Sequence, residues 1–139
     1  MKKCSDLMAR QYFTLPTTAS VLDAARMMRD CGVGFLPICE PTSGELVGVV
    51  TDRDLVTKMC AGDRRPSETE LSDVTFAHPA YCLENSDVLA AEEAMFRHNV
   101  SRLVVVDVQR RPVGVLGLAT VLKALRRIRS ARTPAPQSL

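Results

Sequence analysis

The chain repeats itself along its length, and this repeat constrains the possible folds more than any other feature of the sequence. When the 139-residue sequence is shifted by 67 residues, one stretch after another falls on a similar stretch. The equivalent pairs include Val21 and Val88, Met28 and Met95, Val33 and Val100, Leu36 and Leu103, and Glu40 and Asp107. After a one-residue difference in a loop, Gly48-Val49-Val50 falls on Gly114-Val115-Leu116. Several ordered matches at a nearly constant spacing predict two copies of one structural unit.

Each copy shows the same order of local patterns. An extended piece precedes a helix that begins after Ser20 in the first copy and after Asp87 in the second, and both residue types are good N-caps. Two short apolar strands follow, joined by a turn rich in helix-breaking and polar residues. These strands are predicted at 35–39 and 46–50, and again at 103–106 and 113–116. Each second strand leads directly into a second helix, over 52–60 or 118–129.

These patterns predict an α/β (α+β) fold of two units related by a pseudo-twofold axis, each a small three-stranded sheet packed by two helices. The predicted order is a first unit at 4–60, a polar linker at 61–70, a second unit at 71–129 and a disordered tail at 130–139. A unit of about 60 residues is only marginally stable alone, so the two units are expected to pack together.

The composition excludes several classes of protein. Hydrophobic residues make up 46% of the chain and charged residues 24%, which is typical of a globular domain. The net charge of +2 is too close to balance to imply a polyanionic partner by itself, and the lack of Trp argues against a stacking surface for single-stranded nucleic acid. No apolar run approaches the roughly 20 residues of a membrane helix, and no signal peptide is evident at the amino terminus.

The cysteines and histidines indicate a cytoplasmic protein without a metal centre or a catalytic pair. The five cysteines are odd in number and form no C-x-x-C pair, which is typical of reduced thiols. His78 and His98 are the two histidines, and neither lies in a pair with metal-ligand spacing. The sequence also contains no P-loop and no G-x-G-x-x-G pattern, so nucleotide hydrolysis is not expected. We therefore predict that the chain is not an enzyme and needs no cofactor.

Motifs in both copies match a known family. The first copy contains Ser5-Asp6-Leu7-Met8, Gly32-Val33-Gly34-Phe35-Leu36-Pro37-Ile38 and Gly48-Val49-Val50-Thr51-Asp52-Arg53-Asp54. The second contains Leu71-Ser72-Asp73-Val74, Val100-Ser101-Arg102-Leu103 and Gly114-Val115-Leu116-Gly117. Over residues 4–125 the chain thus resembles a CBS-domain pair, also called a Bateman module. The resemblance implies a regulatory module, commonly a homodimer, that binds AMP, ADP, ATP, S-adenosylmethionine or a related adenosine compound and modulates a partner protein.

The motif from Thr51 to Asp54 is the candidate ligand site. A buried strand ends and a helix starts at Thr51, so the free amide groups of the first helical turn and the positive end of the helix dipole are available to a nucleotide. A carboxylate three residues later, from Asp54, could accept hydrogen bonds from two adjacent ribose hydroxyls. The competing interpretation is a capping box, which needs no ligand. The resemblance favours the nucleotide role, and the two roles are compatible.

The resemblance also implies that the second copy completes this site. Carried over to this sequence, the residues facing Thr51 and Asp54 are Ala80, Val100, Ser101 and Arg102. Arg102 is the predicted phosphate contact because its planar guanidinium suits that geometry, and Arg53 is a weaker candidate. The alternative for Arg102 is a cation that is exposed or lies at a dimer interface.

The corresponding site of the second copy is predicted to be defective. Gly117 and Thr120 stand where the first copy has Thr51 and Asp54, so the carboxylate is missing. Phe35 stands at the position equivalent to Arg102 and removes the phosphate partner. We therefore predict one competent site per chain.

Two other functions remain open at this stage. The chain could be a structural dimerisation module in which Thr51 and Asp54 only cap a helix. It could also bind nucleic acid through the basic last helix, which carries Lys123, Arg126, Arg127 and Arg129. The simpler explanation of those cations is that they complement the negative end of the helix dipole.

Overall fold

The computed structural model describes residues 2–74 and 79–132, and over these residues it is a mixed α/β structure with two three-stranded sheets. This confirms the predicted fold class. The strands are β1 Leu15–Pro16, β2 Phe35–Cys39, β3 Leu46–Thr51, β4 Tyr81–Leu83, β5 Arg102–Val106 and β6 Pro112–Gly117. The α-helices are α1 Cys4–Leu7, α2 Val21–Cys31, α3 Asp52–Asp54, α4 Val88–His98 and α5 Leu118–Arg132. A π-helical turn covers Leu55–Cys60, and 3₁₀ turns cover Pro66–Glu68 and Leu71–Asp73.

The two sheets have the same strand order. In the first, β2 lies between β1 and β3, parallel to β1 and antiparallel to β3. In the second, β5 lies between β4 and β6 and is parallel to β4. The central strand of each sheet is buried on both faces, because consecutive residues such as Leu103 and Val104 are fully inaccessible to solvent. This burial explains why the central strands were visible in the sequence as continuous apolar runs.

The long helix that follows the first strand of each repeat begins and ends in the same way. The side chains of Ser20 and Asp87 each accept a hydrogen bond, 3.0 Å long, from the backbone N–H three residues later. Both predicted N-caps are therefore confirmed. Gly32 and Asn99 end the two helices in the left-handed conformation, with φ of 67° and 52°. Gly and Asn are the residues that adopt this conformation at least cost.

The described residues form two compact units, and neither unit is continuous in the chain. One, which we call the Asp54 unit, comprises residues 13–74, 79 and 109–112. The other, the Arg102 unit, comprises residues 2–12, 80–108 and 113–132. The predicted ranges 4–60 and 71–129 divide the chain between its two repeats in sequence order. In the structure, the first residues of each repeat instead belong to the compact unit that contains most of the other repeat.

The leading segment of the first repeat, residues 2–12, belongs to the Arg102 unit. The Cys4 N–H donates to the carbonyl of Ser86 at 2.8 Å, and the Val88 N–H donates to the carbonyl of Lys2 at 3.1 Å. These bonds tie the amino-terminal segment to the start of α4, which is part of the second repeat.

The leading segment of the second repeat, which contains Thr69 and Leu71, makes the equivalent bonds in the Asp54 unit. The Leu71 N–H donates to the carbonyl of Ala19, and the Val21 N–H donates to the carbonyl of Thr69, both at 2.9 Å. Each of these residues is 67 positions from its counterpart in the Arg102 unit. The two repeats have therefore exchanged their leading segments, and the end of the predicted linker is part of a folded unit: Thr69 is buried.

Each unit has its own apolar core, and each core includes residues from the exchanged segment. In the Asp54 unit the buried residues are Val21, Ala24, Met28, Leu36, Ile38, Val50, Met59, Leu71 and Val74. In the Arg102 unit they are Cys4, Met8, Cys82, Val88, Ala91, Met95, Leu103, Val105, Leu116, Val121, Ala124 and Leu125. The exchange is thus held by apolar burial as well as by backbone hydrogen bonds.

Two helices differ from their predicted form. The helix predicted at 52–60 is present but changes after α3 into a π-helical turn. There the Thr57 hydroxyl donates to the carbonyl of Arg53 at 2.9 Å, the acceptor that the Thr57 amide would use in an α-helix. The last helix, α5, runs to Arg132 and not to residue 129, because no helix-breaking residue occurs before Pro134. Residues 130–132, predicted to belong to the tail, are therefore helical, and residues 133–139 lie outside the described residues.

Close packing of the amino-terminal segment against β6 requires a glycine at position 114. Ala9 and Val115 exchange two backbone hydrogen bonds, 2.8 and 3.0 Å long. A Cβ atom on Gly114 would lie 2.6 Å from the sulfur of Met8 and 2.9 Å from the carbonyl oxygen of Ala9. The clash with a backbone atom cannot be relieved by rotating a side chain.

We predict that Gly114→Ala lowers the free energy of unfolding by about 1–3 kcal/mol, because the added methyl group displaces the exchanged segment. Gly117→Ala is the matched control in the same strand, since a Cβ there meets no atom within 4 Å. The control should leave stability unchanged or raise it slightly. Denaturant unfolding followed by circular dichroism measures both, and equal stabilities for the two variants would contradict the described position of the segment.

Candidate functional site

The start of α3 carries a complete capping box. The Thr51 hydroxyl accepts a hydrogen bond from the Asp54 N–H at 3.1 Å, and Asp54 Oδ2 accepts one from the Thr51 N–H at 2.9 Å. Both residues are half-buried. The sequence predicted Thr51 as the N-cap, and the structure confirms that local role.

The capping box leaves Asp54 able to bind something else. The bond to Thr51 uses one carboxylate oxygen, and an ionised carboxylate offers about four lone-pair positions. An acceptor of this kind at the amino end of a helix can take hydrogen bonds from hydroxyl groups of a ligand. The arrangement is therefore compatible with a cap alone and with a cap that also holds a ligand.

A backbone contact fixes where α3 begins relative to the sheet. The Asp52 N–H donates to the carbonyl of Gly34, the residue before β2, at 3.0 Å. The side chain of Asp52 lies over Gly34, because a Cβ there would be 2.8 Å from Asp52 Oδ2. The other carboxylate oxygen accepts a hydrogen bond from the Arg53 N–H at 2.8 Å. Asp52 was not among the predicted site residues. Its position in the first turn of a helix, where acidic residues are favoured, is the sequence signal that could have pointed to it.

The second repeat begins its last helix with the same backbone contact but without the cap. The Leu118 N–H donates to the carbonyl of Ser101 at 2.8 Å, as Asp52 does to Gly34. Gly117 stands at the position of Thr51 and offers no side-chain oxygen, and Thr120 is exposed. The two helix starts thus share the same backbone arrangement but carry different side chains at equivalent positions.

The other predicted site residues lie in the Arg102 unit. Ala80 and Val100 are half-buried, whereas Ser101 and Arg102 are exposed. Val100 and Ser101 share a surface cavity of about 260 Å³. The rest of its lining is Met95, Phe96, Asn99 and Leu118, which the sequence did not indicate because a residue such as Phe96 or Asn99 carries no ligand signal by itself.

The seven predicted ligand residues are therefore divided between the units. Thr51, Arg53 and Asp54 belong to the Asp54 unit, and Arg53 is exposed. Ala80, Val100, Ser101 and Arg102 belong to the Arg102 unit. That both groups contact one ligand stays a prediction.

The basic residues of α5 are exposed, and one is partly neutralised. Arg129 lies 3.7 Å from the carboxylate of Glu92 on α4. Lys123, Arg126 and Arg127 are exposed along the same helix. An ion pair at this distance is weak. The basic residues of α5 are therefore compatible both with an interaction surface and with complementation of the helix dipole.

Residues 2–74 and 79–132 contain neither a metal-binding cluster nor a membrane-spanning helix. Within these ranges, no group of three or more His, Cys, Asp and Glu side chains could hold a metal ion. His98 is exposed at the end of α4, and His78 lies outside the described residues. None of the helices described there is long and apolar enough to cross a membrane.

Comparisons with known proteins agree with the repeat. The sequence profile of the CBS domain matches the chain twice, at residues 4–60 and 71–127. The CBS domain-containing protein YhcV of Bacillus subtilis is 30% identical over 118 residues, which cover 85% of this chain and 81% of that protein.

Solved structures with the same fold include complexes with adenosine compounds. The CBS domain pair of protein MJ0100, in complex with 5′-methylthioadenosine and S-adenosyl-L-methionine, has a TM-score of 0.76 at 22% identity. CBSX2 in complex with AMP has a TM-score of 0.73 at 23% identity. Each alignment covers 91% of this chain and 98% of the other.

The difference between the two helix starts predicts the effect of transferring the capping box. Gly117→Thr combined with Thr120→Asp should raise the free energy of unfolding by about 1 kcal/mol, because it supplies the two side-chain oxygens that α5 lacks. The control is Gly117→Ala with Thr120→Ala, which changes the same positions without adding those oxygens. Thermal and denaturant unfolding measure both variants, and an equal gain in the two would mean that capping is not the cause.

Proposed function

The chain belongs to the CBS-domain family, and on this basis we propose that it is a regulatory module that binds an adenosine compound and passes its binding state to a partner protein. The observation that carries this proposal is the start of α3. There, a hydroxyl and a carboxylate are fixed side by side at the amino end of a helix. The adenosine ligands of MJ0100 and CBSX2, which share the fold, support the choice of ligand class.

In this proposal Asp54 recognises the ribose. Two adjacent hydroxyl groups are the feature that all adenosine ribonucleotides share, and one carboxylate can accept a hydrogen bond from each of them. Because Thr51 and the backbone already hold Asp54 in place, little side-chain freedom is lost on binding. Thr51 and the exposed Arg53 lie beside the sugar and the first phosphate.

The prediction also assigns ligand contacts to residues of the Arg102 unit. Val100 and Ala80 offer small apolar surfaces suited to an adenine ring, and Ser101 offers a hydroxyl for hydrogen bonding. Arg102 is exposed and has a planar guanidinium that suits a phosphate group. We propose one competent site per chain, because Gly117 and Thr120 provide no carboxylate for a second ribose.

Ligand binding would act by population shift and not by chemistry. A ligand that binds one arrangement of the protein more tightly than another shifts the equilibrium toward the first arrangement. We propose that the chain does this as a homodimer without catalysing a reaction, and that a partner protein recognises the favoured state.

A second candidate is a structural interaction module. It is favoured by the capping box itself, which is complete without any ligand. Both functions are compatible with the family, so only binding experiments distinguish them. A nucleic-acid binder that uses α5 is the third and weakest candidate, and it predicts binding that falls steeply with salt.

Calorimetric titration of the purified protein with AMP, ADP, ATP and S-adenosylmethionine tests the proposal. We expect one of these to bind near one per chain, and Asp54→Ala to weaken that binding at least about tenfold through loss of charge-assisted hydrogen bonds. Asp23→Ala is a matched control, because Asp23 forms the same capping box with Ser20 at the start of α2.

The two variants separate the ligand role from the cap role. Both should lower stability by a similar amount of about 1 kcal/mol, whereas only Asp54→Ala should lower affinity. If neither variant changes affinity, Asp54 does not hold the ligand. If no ligand produces heat, the structural module becomes the better interpretation.

A second prediction concerns Arg102. Arg102→Ala should weaken the affinity for AMP about tenfold and leave the affinity for adenosine unchanged, because the lost interaction is with phosphate. Arg126→Ala, which removes an exposed cation from the same unit, should affect neither ligand. Equal losses for AMP and adenosine would contradict a phosphate contact, and a loss in Arg126→Ala would indicate a general charge effect.

A further inference from the structure

Two buried cysteines meet where the amino-terminal segment joins the second repeat. Cys4 is fully buried in α1, and Cys82, in β4, is 6% exposed. Both belong to the core of the Arg102 unit, and both are free thiols. The Cys4 sulfur lies 3.7 Å from the carbonyl oxygen of Asp87.

The backbone holds the two cysteines in this arrangement. The Cys4 N–H donates a hydrogen bond to the carbonyl of Ser86 at 2.8 Å, and the Ser5 N–H donates one to the carbonyl of Glu84 at 3.0 Å. The first residues of α1 therefore run beside the stretch of chain that immediately follows Cys82. The two thiols are close enough for each to shift the pKa of the other.

The repeat shows that the fold does not require thiols here. The positions equivalent to Cys82 and Cys4 in the Asp54 unit are Leu15 and Leu71, 67 residues away in each case. Leu71 is fully buried, and Leu15 packs against the same core. An apolar pair therefore satisfies the packing at these positions, and the thiols add a chemical capability that leucine lacks.

We propose that Cys4 and Cys82 are a redox-sensitive pair that forms a reversible disulfide and locks the exchanged amino-terminal segment onto the second repeat. A peroxide is the oxidant that we assign to the reaction. The Cys4 sulfur attacks one peroxide oxygen, the O–O bond breaks, and Cys4 becomes a sulfenic acid as water leaves. The Cys82 sulfur then attacks the Cys4 sulfur, an S–S bond replaces the S–O bond, and a second water leaves.

The electrons balance over the two steps. The two thiols lose two electrons and two protons in total, and hydrogen peroxide is reduced to two water molecules. A dithiol reductant reverses the reaction by thiol–disulfide exchange. Because both sulfurs are buried, the oxidant reaches them when the short amino-terminal segment opens locally.

The surroundings also shift the pKa values of the two thiols in opposite directions. The neighbouring Cys82 thiol lowers the pKa of Cys4 below its ordinary value, although burial and Asp87 oppose this shift. The Cys4 thiol, together with burial, raises the pKa of Cys82. The thiolate is the nucleophile in this chemistry, and in this proposal we assign Cys4 as the attacking sulfur and Cys82 as the resolving one.

The test exposes the full-length reduced protein, with Cys31→Ser and Cys60→Ser to remove the two exposed thiols, to a small excess of hydrogen peroxide. Peptide mapping by mass spectrometry without reduction should find a Cys4–Cys82 cross-link within one chain. The melting temperature should rise by roughly 5–10 °C and return to its starting value when dithiothreitol is added.

The controls replace one member of the pair with the residue of the other repeat. Cys4→Leu and Cys82→Leu should each show no peroxide-dependent rise in melting temperature. Oxidation of Cys39 with no Cys4–Cys82 cross-link would overturn the proposal. So would a cross-link that leaves the melting temperature unchanged, because such a bond would not lock the segment. The mapping uses a protein with both native thiols, so the test holds even if a leucine variant fails to fold.

Discussion

The exchange of leading segments is the constraint on which the rest of this structure depends. Two backbone hydrogen bonds tie Lys2 and Cys4 to the start of α4, and two equivalent bonds tie Thr69 and Leu71 to the start of α2. Both cores are then completed by side chains from the exchanged segments. Neither unit consists of one continuous stretch of chain. The stability of each unit therefore depends on a segment that is joined in sequence to the other unit. The two repeats are parts of one folded chain, and a cut between them would remove core residues from both.

The candidate site depends on a second repeated contact, between the last helix of each repeat and the residue before its central strand. Asp52 and Leu118 make this contact with Gly34 and Ser101 at nearly the same length. The backbone arrangement is therefore the same at both helix starts, and the difference between them lies in a few side chains. One helix start carries Thr51 and Asp54, and the other carries a glycine and an exposed threonine. The backbone at this position can therefore stay the same while the side chains that it carries change.

Features set by neighbours in the sequence were predictable, and features set by distant backbone contacts were not. The caps at Ser20 and Asp87 depend on residues three positions away, and β2 is bounded by a Gly on one side and a Pro-containing turn on the other. The π-helical turn was missed because Leu55–Cys60 contains no Gly or Pro that would distinguish it in the sequence from an α-helix. The exchange was missed because bonds such as the one from the Val88 N–H to the Lys2 carbonyl join main-chain atoms, which all residue types except proline carry in full. At the site, the sequence predicted the Thr51–Asp54 pair, while the cavity beside Val100 arises from residues that only the fold brings together.

The exchange also bears on how such a chain could have arisen. A single copy of the repeat, about 67 residues long by the spacing of its equivalents, carries a leading segment that has no place in its own core. Such a chain could complete its core only by trading that segment with a second chain. Duplication and fusion would convert this obligatory association into a contact within one molecule, at a far higher effective concentration. Fusion would also allow the two copies to diverge in sequence, so that one could lose its capping hydroxyl and carboxylate, as at Gly117 and Thr120, and still serve as the structural partner of the other.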